Sequence, residues 1–201
     1  MINFMLNGSV VKLIYYKYVF IVKYFFYHYF KMNNILKYND INVKNIKYDK
    51  PEKKGTYYYS AISYDKKPLL VQTVKMKCNN LNNEIIKNGN IDCESITNDF
   101  SFYDFFLNIE DRNIKETFKN NKEWFDKEIP LELIDDMYKR TIKPVKKNSK
   151  PSFSFKLPII KEKVQCHIYD QNKMIIDFDK LDKDSEIILI IHIRGLKFLK
   201  Q

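Results

Sequence analysis

Three consecutive tyrosines, Tyr57, Tyr58 and Tyr59, open the segment TYYYSAISY, and lysines crowd the chain on both sides of it. In an extended strand, alternation sends Tyr57 and Tyr59 to one face and Tyr58 to the other. Two tyrosine rings on one sheet face form a platform for flat heteroaromatic rings, worth about 1–3 kcal/mol per stacked base. The same rings serve equally well in cross-strand packing on a half-exposed sheet. Cations that would accompany a stacked polyanion are Lys75 and Lys77, Lys66 and Lys67, the basic loop with Lys146, Lys147 and Lys150, then Lys156 and Arg194. Each alone is an ordinary surface residue; together they could track a phosphate backbone. Phe198 is a third candidate for stacking.

Other chemistry finds little material. The chain has no phosphate-binding glycine loop, no zinc-protease helix and no nucleophile elbow. Its histidines are His28, His167 and His192, and none adjoins a nucleophile signature. Asp135 and Asp136 are adjacent, so on a helix they diverge by about 100° and do not share one ion easily. Asp177 and Asp179 lie in DFDKLDKD, which reads as an acidic turn. Cys166 and His167 lack a partner pair at zinc-finger spacing. The expectation is a non-enzymatic protein without metal or cofactor.

The charge is divided into blocks. Residues 32–78 carry ten Lys/Arg against four Asp/Glu, residues 79–142 eight against fourteen, and residues 143–201 thirteen against seven. A uniform compositional bias toward Lys and Asn would not segregate sign in this way, so the basicity is read as functional. A net charge of +10 favours an anionic partner.

The elements that must position these residues follow from periodicity. NVKNIKY is a weak strand, DKPEKKG a turn, TYYYSAISY a strand, DKKP a turn and LLVQTVKMK another strand. In the last, Leu70, Val74 and Met76 are expected on one face, with Thr73, Lys75 and Lys77 on the other. Residues 78–99 read as a long loop and FSFYDFFLNI (100–109) as a strand. A helical pair is expected over about 109–142, with Ile114, Phe118 and Phe125 on one stripe and Pro130 in the first turn of the second helix. Strands return with SFSFKL and KVQCHIY. EIILIIHIRGLKFL (186–199) begins apolar on both faces and is expected to be central, with Gly195 at a bulge. This order predicts an α+β domain with a small antiparallel barrel around an inserted helical pair.

Residues 10–30 are strongly apolar, but Lys12, Lys17 and Lys23 interrupt them and point in different directions around a helix. A lysine near the bilayer centre costs about 2.5–3.5 kcal/mol, so a membrane span is disfavoured. The expectation is that Met32 begins the domain, 32–201, and that 1–31 is an apolar N-terminal extension outside it. A membrane-associated segment or a structured extension are the alternatives. Three scattered cysteines, Cys78, Cys93 and Cys166, argue for reduced thiols.

VQTVKMK (71–77), NKEWF (121–125), MYKRTIK (137–143), PSFSFKLP (151–158) and GLKF (195–198) occur in an order and spacing that resemble single-stranded DNA-binding proteins of nucleocytoplasmic large DNA viruses. The resemblance covers about residues 40–200. It implies an OB-like β-barrel and sequence-tolerant binding of single-stranded DNA in viral replication, recombination or repair. Its setting would be the viral replication site in the host cytoplasm, with other replication proteins or a second copy as further partners. Two departures stand out: no Trp lies beside Phe198, and the strand and tail expected after it are absent from the sequence. A viral structural or interaction protein, associated with membrane through residues 10–30, is the rival reading.

Overall fold

A strand with isoleucines on both faces can be buried only if sheet neighbours flank it and other layers cover it. EIILIIHI meets that condition at the centre of the fold. The computed structural model describes residues 2–6, 10–15, 35–78, 89–142, 144–145, 149–182 and 185–200, the first two stretches as backbone.

In chain order the strands are β1 (Ile2–Leu6), β2 (Val10–Tyr15), β3 (Ile35–Lys37), β4 (Ile46–Tyr48), β5 (Glu52–Lys54), β6 (Tyr57–Tyr64), β7 (Leu69–Gln72), β8 (Met76–Cys78) and β9 (Asn90–Ser95). Two helices follow, α1 (Ser101–Phe125) and α2 (Leu131–Met137). After them come β10 (Tyr138–Lys139), β11 (Ser152–Lys156), the short hairpins β12 (Ile159–Ile160) with β13 (Lys163–Val164) and β14 (Ile168–Tyr169) with β15 (Ile175–Ile176), and finally β16 (Glu186–Ile193) and β17 (Gly195–Lys200).

β16 and β17 are one strand bent at Arg194–Gly195. Antiparallel partners run along it in sequence: β8, then β7, then β6. Where the long strand bends, the partner chain loops out in a tight turn. There Tyr64 and Lys67 exchange backbone hydrogen bonds of 2.8 and 2.9 Å, and Asp65 and Lys66 hold positive φ, as hairpin turns of this hand require. Strands β10, β1, β17, β6 and β4 form one sheet, with β5 added to β6. Strands β11, β9, β8, β16, β7 and β3 form the other, with β2 on the far side of β16. Their pairing is antiparallel except at β1–β10 and β3–β7. The architecture is α+β: a curled, mainly antiparallel sheet with two helices.

The region read from sequence as one strand, 69–77, is two. Leu69, Val71 and Thr73 face the core, and so do Met76 and Cys78, so the buried parity shifts by one residue between them. Thr73 absorbs the shift. Its amide donates to Leu189 O at 2.8 Å, and its hydroxyl accepts from Leu189 N at 2.8 Å while donating to Val74 O at 2.9 Å. Thr73 is therefore core and Leu70 half-buried, which reverses the predicted faces around that point.

The segment 100–109 is helical, not extended. Phe102, Phe105, Phe106, Ile109, Asn113, Ile114, Thr117 and Asn121 are all buried, a helical spacing. Asp99 accepts from Ser101 N at 2.9 Å and satisfies one of the free amides at the helix start. Phe118, expected on the buried stripe, is 44% exposed. The 90–95 part of the predicted 78–99 loop is β9, with Ile91, Cys93 and Ser95 facing inward. The second helix ends at Met137, so Tyr138 is a buried strand residue.

α1 lies across the inner face of both sheets. Near its start Phe102 and Phe106 pack on Phe153, with ring centroids 5.0 and 5.9 Å apart, and Phe106 also meets Phe155. At its end Phe125 and Trp124 pack on Phe198 at 5.0 and 6.0 Å. Between these aromatic contacts runs a buried polar seam. Glu110 accepts from Thr141 N at 2.6 Å and Arg140 at 3.3 Å. Asn113 accepts from Tyr48 at 2.7 Å and donates to Tyr138 at 2.8 Å. Asn121 donates to Ile129 O at 3.1 Å. No helix among the described residues is long and apolar enough to cross a membrane. The backbone stretches 2–6 and 10–15, assigned from sequence to an extension outside the domain, pair with β17 and β16.

Phe153→Ala should cost about 3–5 kcal/mol in urea unfolding, as a fully buried aromatic does. Phe118→Ala should stay within about 0.5 kcal/mol. A reversed order of the two losses would mean that α1 presents its other face to the sheet.

Candidate nucleic-acid interface

The register of β5, β6 and β17 decides what shares a face with Tyr57 and Tyr59. Lys197 stands opposite Tyr59, and Leu199 opposite Tyr57, while Phe198 pairs with Tyr58 and Leu196 with Ser60. On the other side Lys54 pairs with Tyr57 and Glu52 with Tyr59. Directly opposite residues point the same way. Tyr57, Tyr59, Lys54, Lys197 and Leu199 therefore share the outward face, together with Lys47, which is paired with Ser63 on β4. Tyr58, Leu196 and Phe198 share the inward face, under α1.

Tyr59 lies over Gly195. A Cβ at 195 would fall 2.7 Å from the Tyr59 hydroxyl and against the carbonyl oxygen of Ser60. Glycine is needed here for close approach, with an aromatic ring covering the bare backbone. Tyr57 carries a cation over its ring: Lys197 Nζ is 4.1 Å from the centroid. Both rings are half-buried. Burial raises the Tyr59 phenol above its usual range, opposed by the positive charge of Arg194, so Tyr59 is neutral at physiological pH. Arg194 is exposed at the bend, close enough to His192 for its charge to count there too. Burial first, and then Arg194, push His192 down to about 4.

This outward face carries Lys47, Lys54, Lys197 and, at its corner, Arg194, against Glu52, which pairs with Lys54 at 2.8 Å, and Asp49, whose amide continues the β4–β6 ladder to Ala61 O. The open face of the second sheet differs. Lys75 is bound to Glu186 at 3.2 Å. Lys77 stands between Glu94 on β9 and Glu186 on β16 by register. Asp92 shares that face, two residues from Glu94. Positive charge around Lys75 and Lys77 is thus neutralised within the sheet.

The sequence-predicted residues accordingly separate. Tyr57, Tyr59 and Arg194 come together. Lys75 and Lys77 lie on the other sheet among acids. Lys156 is exposed on β11, paired with Asn90. Lys150 donates to Ile96 O at 3.0 Å and fastens the chain locally. Lys146 and Lys147 lie outside the described residues. Phe198 is corrected: at 1% exposed and packed on Trp124 and Phe125, it is core and offers no ring for stacking. Sequence reasoning missed Lys47, Lys54 and Lys197. For Lys197 the signal was available, because alternation through GLKF turns Lys197 outward once Phe198 is inward. Among the described residues no three His, Cys, Asp or Glu side chains converge as a metal site.

A family model described as a family of unknown function (DUF5871) matches residues 78–201, more than half of the chain, and the chain belongs to that family. The match contains Arg194 and Lys197, while Tyr57 and Tyr59 precede it. The chain matches no curated protein and no solved structure.

Two outcomes check this geometry. Gly195→Ala should destabilise by about 1–3 kcal/mol, as forced overpacking does. Combining it with Tyr59→Ala should restore little, because the Ser60 carbonyl still blocks the new Cβ; a full recovery would place the constraint in the ring alone. His192 binds its proton more weakly folded than unfolded. Its contribution to stability is complete above about pH 6.5 and is lost as pH falls toward 4. Glu110, held above its usual value by burial, acts oppositely and favours the fold at acid pH. His192→Asn should reduce the acid-side loss between pH 6.5 and 4 by on the order of 2 kcal/mol, read from urea midpoints; an unchanged pH profile would refute the assignment.

Proposed function

We propose that this member of the DUF5871 family binds single-stranded DNA with little sequence preference, using the outward face of β5, β6 and β17. The observation that carries the reading is the grouping of Tyr57 and Tyr59 with Lys197, Lys54 and Arg194 on one sheet face whose opposite side is core. Each ring offers a base about 1–3 kcal/mol of stacking, without regard to its identity. Lys197 already occupies the face of Tyr57, so a base arriving there replaces a cation and frees that cation for the adjacent phosphate. A curled antiparallel sheet closed by a helix is compatible with an OB-like barrel, the fold implied by the sequence resemblance, and sheet faces of such barrels bind oligonucleotides. The role that follows is non-catalytic support of replication, recombination or repair of a viral genome.

Fluorescence anisotropy with labelled oligothymidine at two salt concentrations tests this. Binding should fall steeply with salt and exceed that of duplex DNA of equal length. Tyr57→Ala should weaken binding with the salt slope unchanged. Lys197→Ala should weaken it and flatten the slope by roughly 0.7, one phosphate contact on a single strand. Lys75→Ala with Lys77→Ala should leave both nearly as in wild type. Equal affinity for duplex, or loss of binding only in the Lys75/Lys77 variant, would overturn the proposal.

A further inference from the structure

Cys78 ends β8 and Cys93 lies within β9. In the antiparallel pairing of these strands the two residues are directly opposite. Both side chains enter the core, 3% and 0% exposed. Burial raises the Cys93 thiol well above its usual range, and a hydrogen bond with the Cys78 sulfur adds to that. Opposite residues in antiparallel strands have Cα atoms about 4.5 or 5.5 Å apart, according to the type of pair. A disulfide accepts Cα separations of about 4.4–6.8 Å. Both of these separations lie within that range. Both cysteines are free thiols in the structure. The third, Cys166, lies between β13 and β14, outside the β8–β9 ladder.

We infer that Cys78 and Cys93 are a latent disulfide pair, joined when the chain meets a low-molecular-weight disulfide such as oxidised glutathione. The Cys78 thiolate attacks the glutathione disulfide, releases one glutathione thiolate and carries the other glutathione as a mixed disulfide. Cys93 then loses its proton, attacks the Cys78 sulfur and expels the second glutathione thiolate. Two protein S–H bonds and one glutathione S–S bond become one protein S–S bond and two glutathione thiols. Cys78 goes first because it ends its strand, whereas Cys93 has no exposure. The raised pKa of Cys93 keeps it a poor nucleophile until a sulfur carrying a leaving group lies beside it. The bond closes a loop of about 15 residues, which constrains the unfolded chain.

The test equilibrates the full chain in a glutathione buffer with the oxidised form in excess, quenches with acid, unfolds and alkylates with N-ethylmaleimide. The expected product is a monomer with one alkylated thiol and a peptide map linking Cys78 to Cys93. Its Tm should exceed that of the reduced form by roughly 6–12 °C, and reductant should reverse the shift. Cys166→Ala should keep the bond and leave no thiol to alkylate; Cys93→Ala should lose both bond and shift. Three alkylated thiols, a stable glutathione adduct on the wild type, or a bond involving Cys166 would each overturn the inference. Because Cys166→Ala leaves the buried pair intact, it decides the matter even if Cys93→Ala fails to fold.

Discussion

The bend at Arg194–Gly195 has no room for a side chain on its second residue, and the two halves of the sheet are joined through it. Ile62 N donates to Arg194 O at 2.8 Å, while the Ser60 carbonyl and the Tyr59 ring occupy the space a Cβ would take. Because the long strand turns there, its first half can be the centre of one sheet and its second half a member of the other. The curl gives α1 a concave surface, and the helix spans it from Phe153 to Phe198. The same bend exposes Arg194 and brings the Tyr59 ring over Gly195. Construction of the core and of the outward face thus share one steric constraint.

Charge is allotted differently on the two sheets, although both derive from basic blocks. On the second sheet the lysines of β8 and its flank are met by Glu94 and Glu186 from neighbouring strands. On the first, Lys47, Lys54, Lys197 and Arg194 outnumber Glu52 and Asp49. Screening in salt weakens exposed pairs such as Lys54–Glu52, so the excess on the first face comes from number and not from any single contact. Hydrophobic content cannot distinguish these faces; cross-strand register can.

Much of this was legible in the sequence, and the failures have physical causes. TYYYSAISY reads as a strand because β-propensity and alternation agree. DKKP reads as a turn, and Gly195 as an irregularity. FSFYDFFLNI misleads because aromatic residues favour strands on average, while its 102, 105, 106, 109 spacing belongs to a helix that docks on two sheets. NIDCES is hidden in an Asn-rich stretch, and its inward Ile91, Cys93 and Ser95 emerge only with β8 and β11 as partners. Lys77 seemed free because the acids beside it come from strands distant in sequence. Thr73 could not be foreseen as core, since its hydroxyl is satisfied by Leu189, 116 residues away.

The polar seam on α1 bears on the order of folding events. An aromatic stripe alone would let the helix settle on the sheet early and adjust later. Glu110, Asn113 and Asn121 forbid that, because their partners are Tyr48 and the chain from Ile129 to Thr141. A species with α1 docked and that chain still loose would leave the Glu110 carboxyl without Arg140 and the Thr141 amide, and would strip Asn113 of Tyr138 and Asn121 of Ile129, while Asn113 keeps Tyr48 and Asn121 keeps Phe118 O. Such a species lies above the finished state by those lost bonds. Docking of the helix and closure of the 129–141 segment are therefore coupled: each strengthens the other through the bonds of Glu110, Asn113 and Asn121.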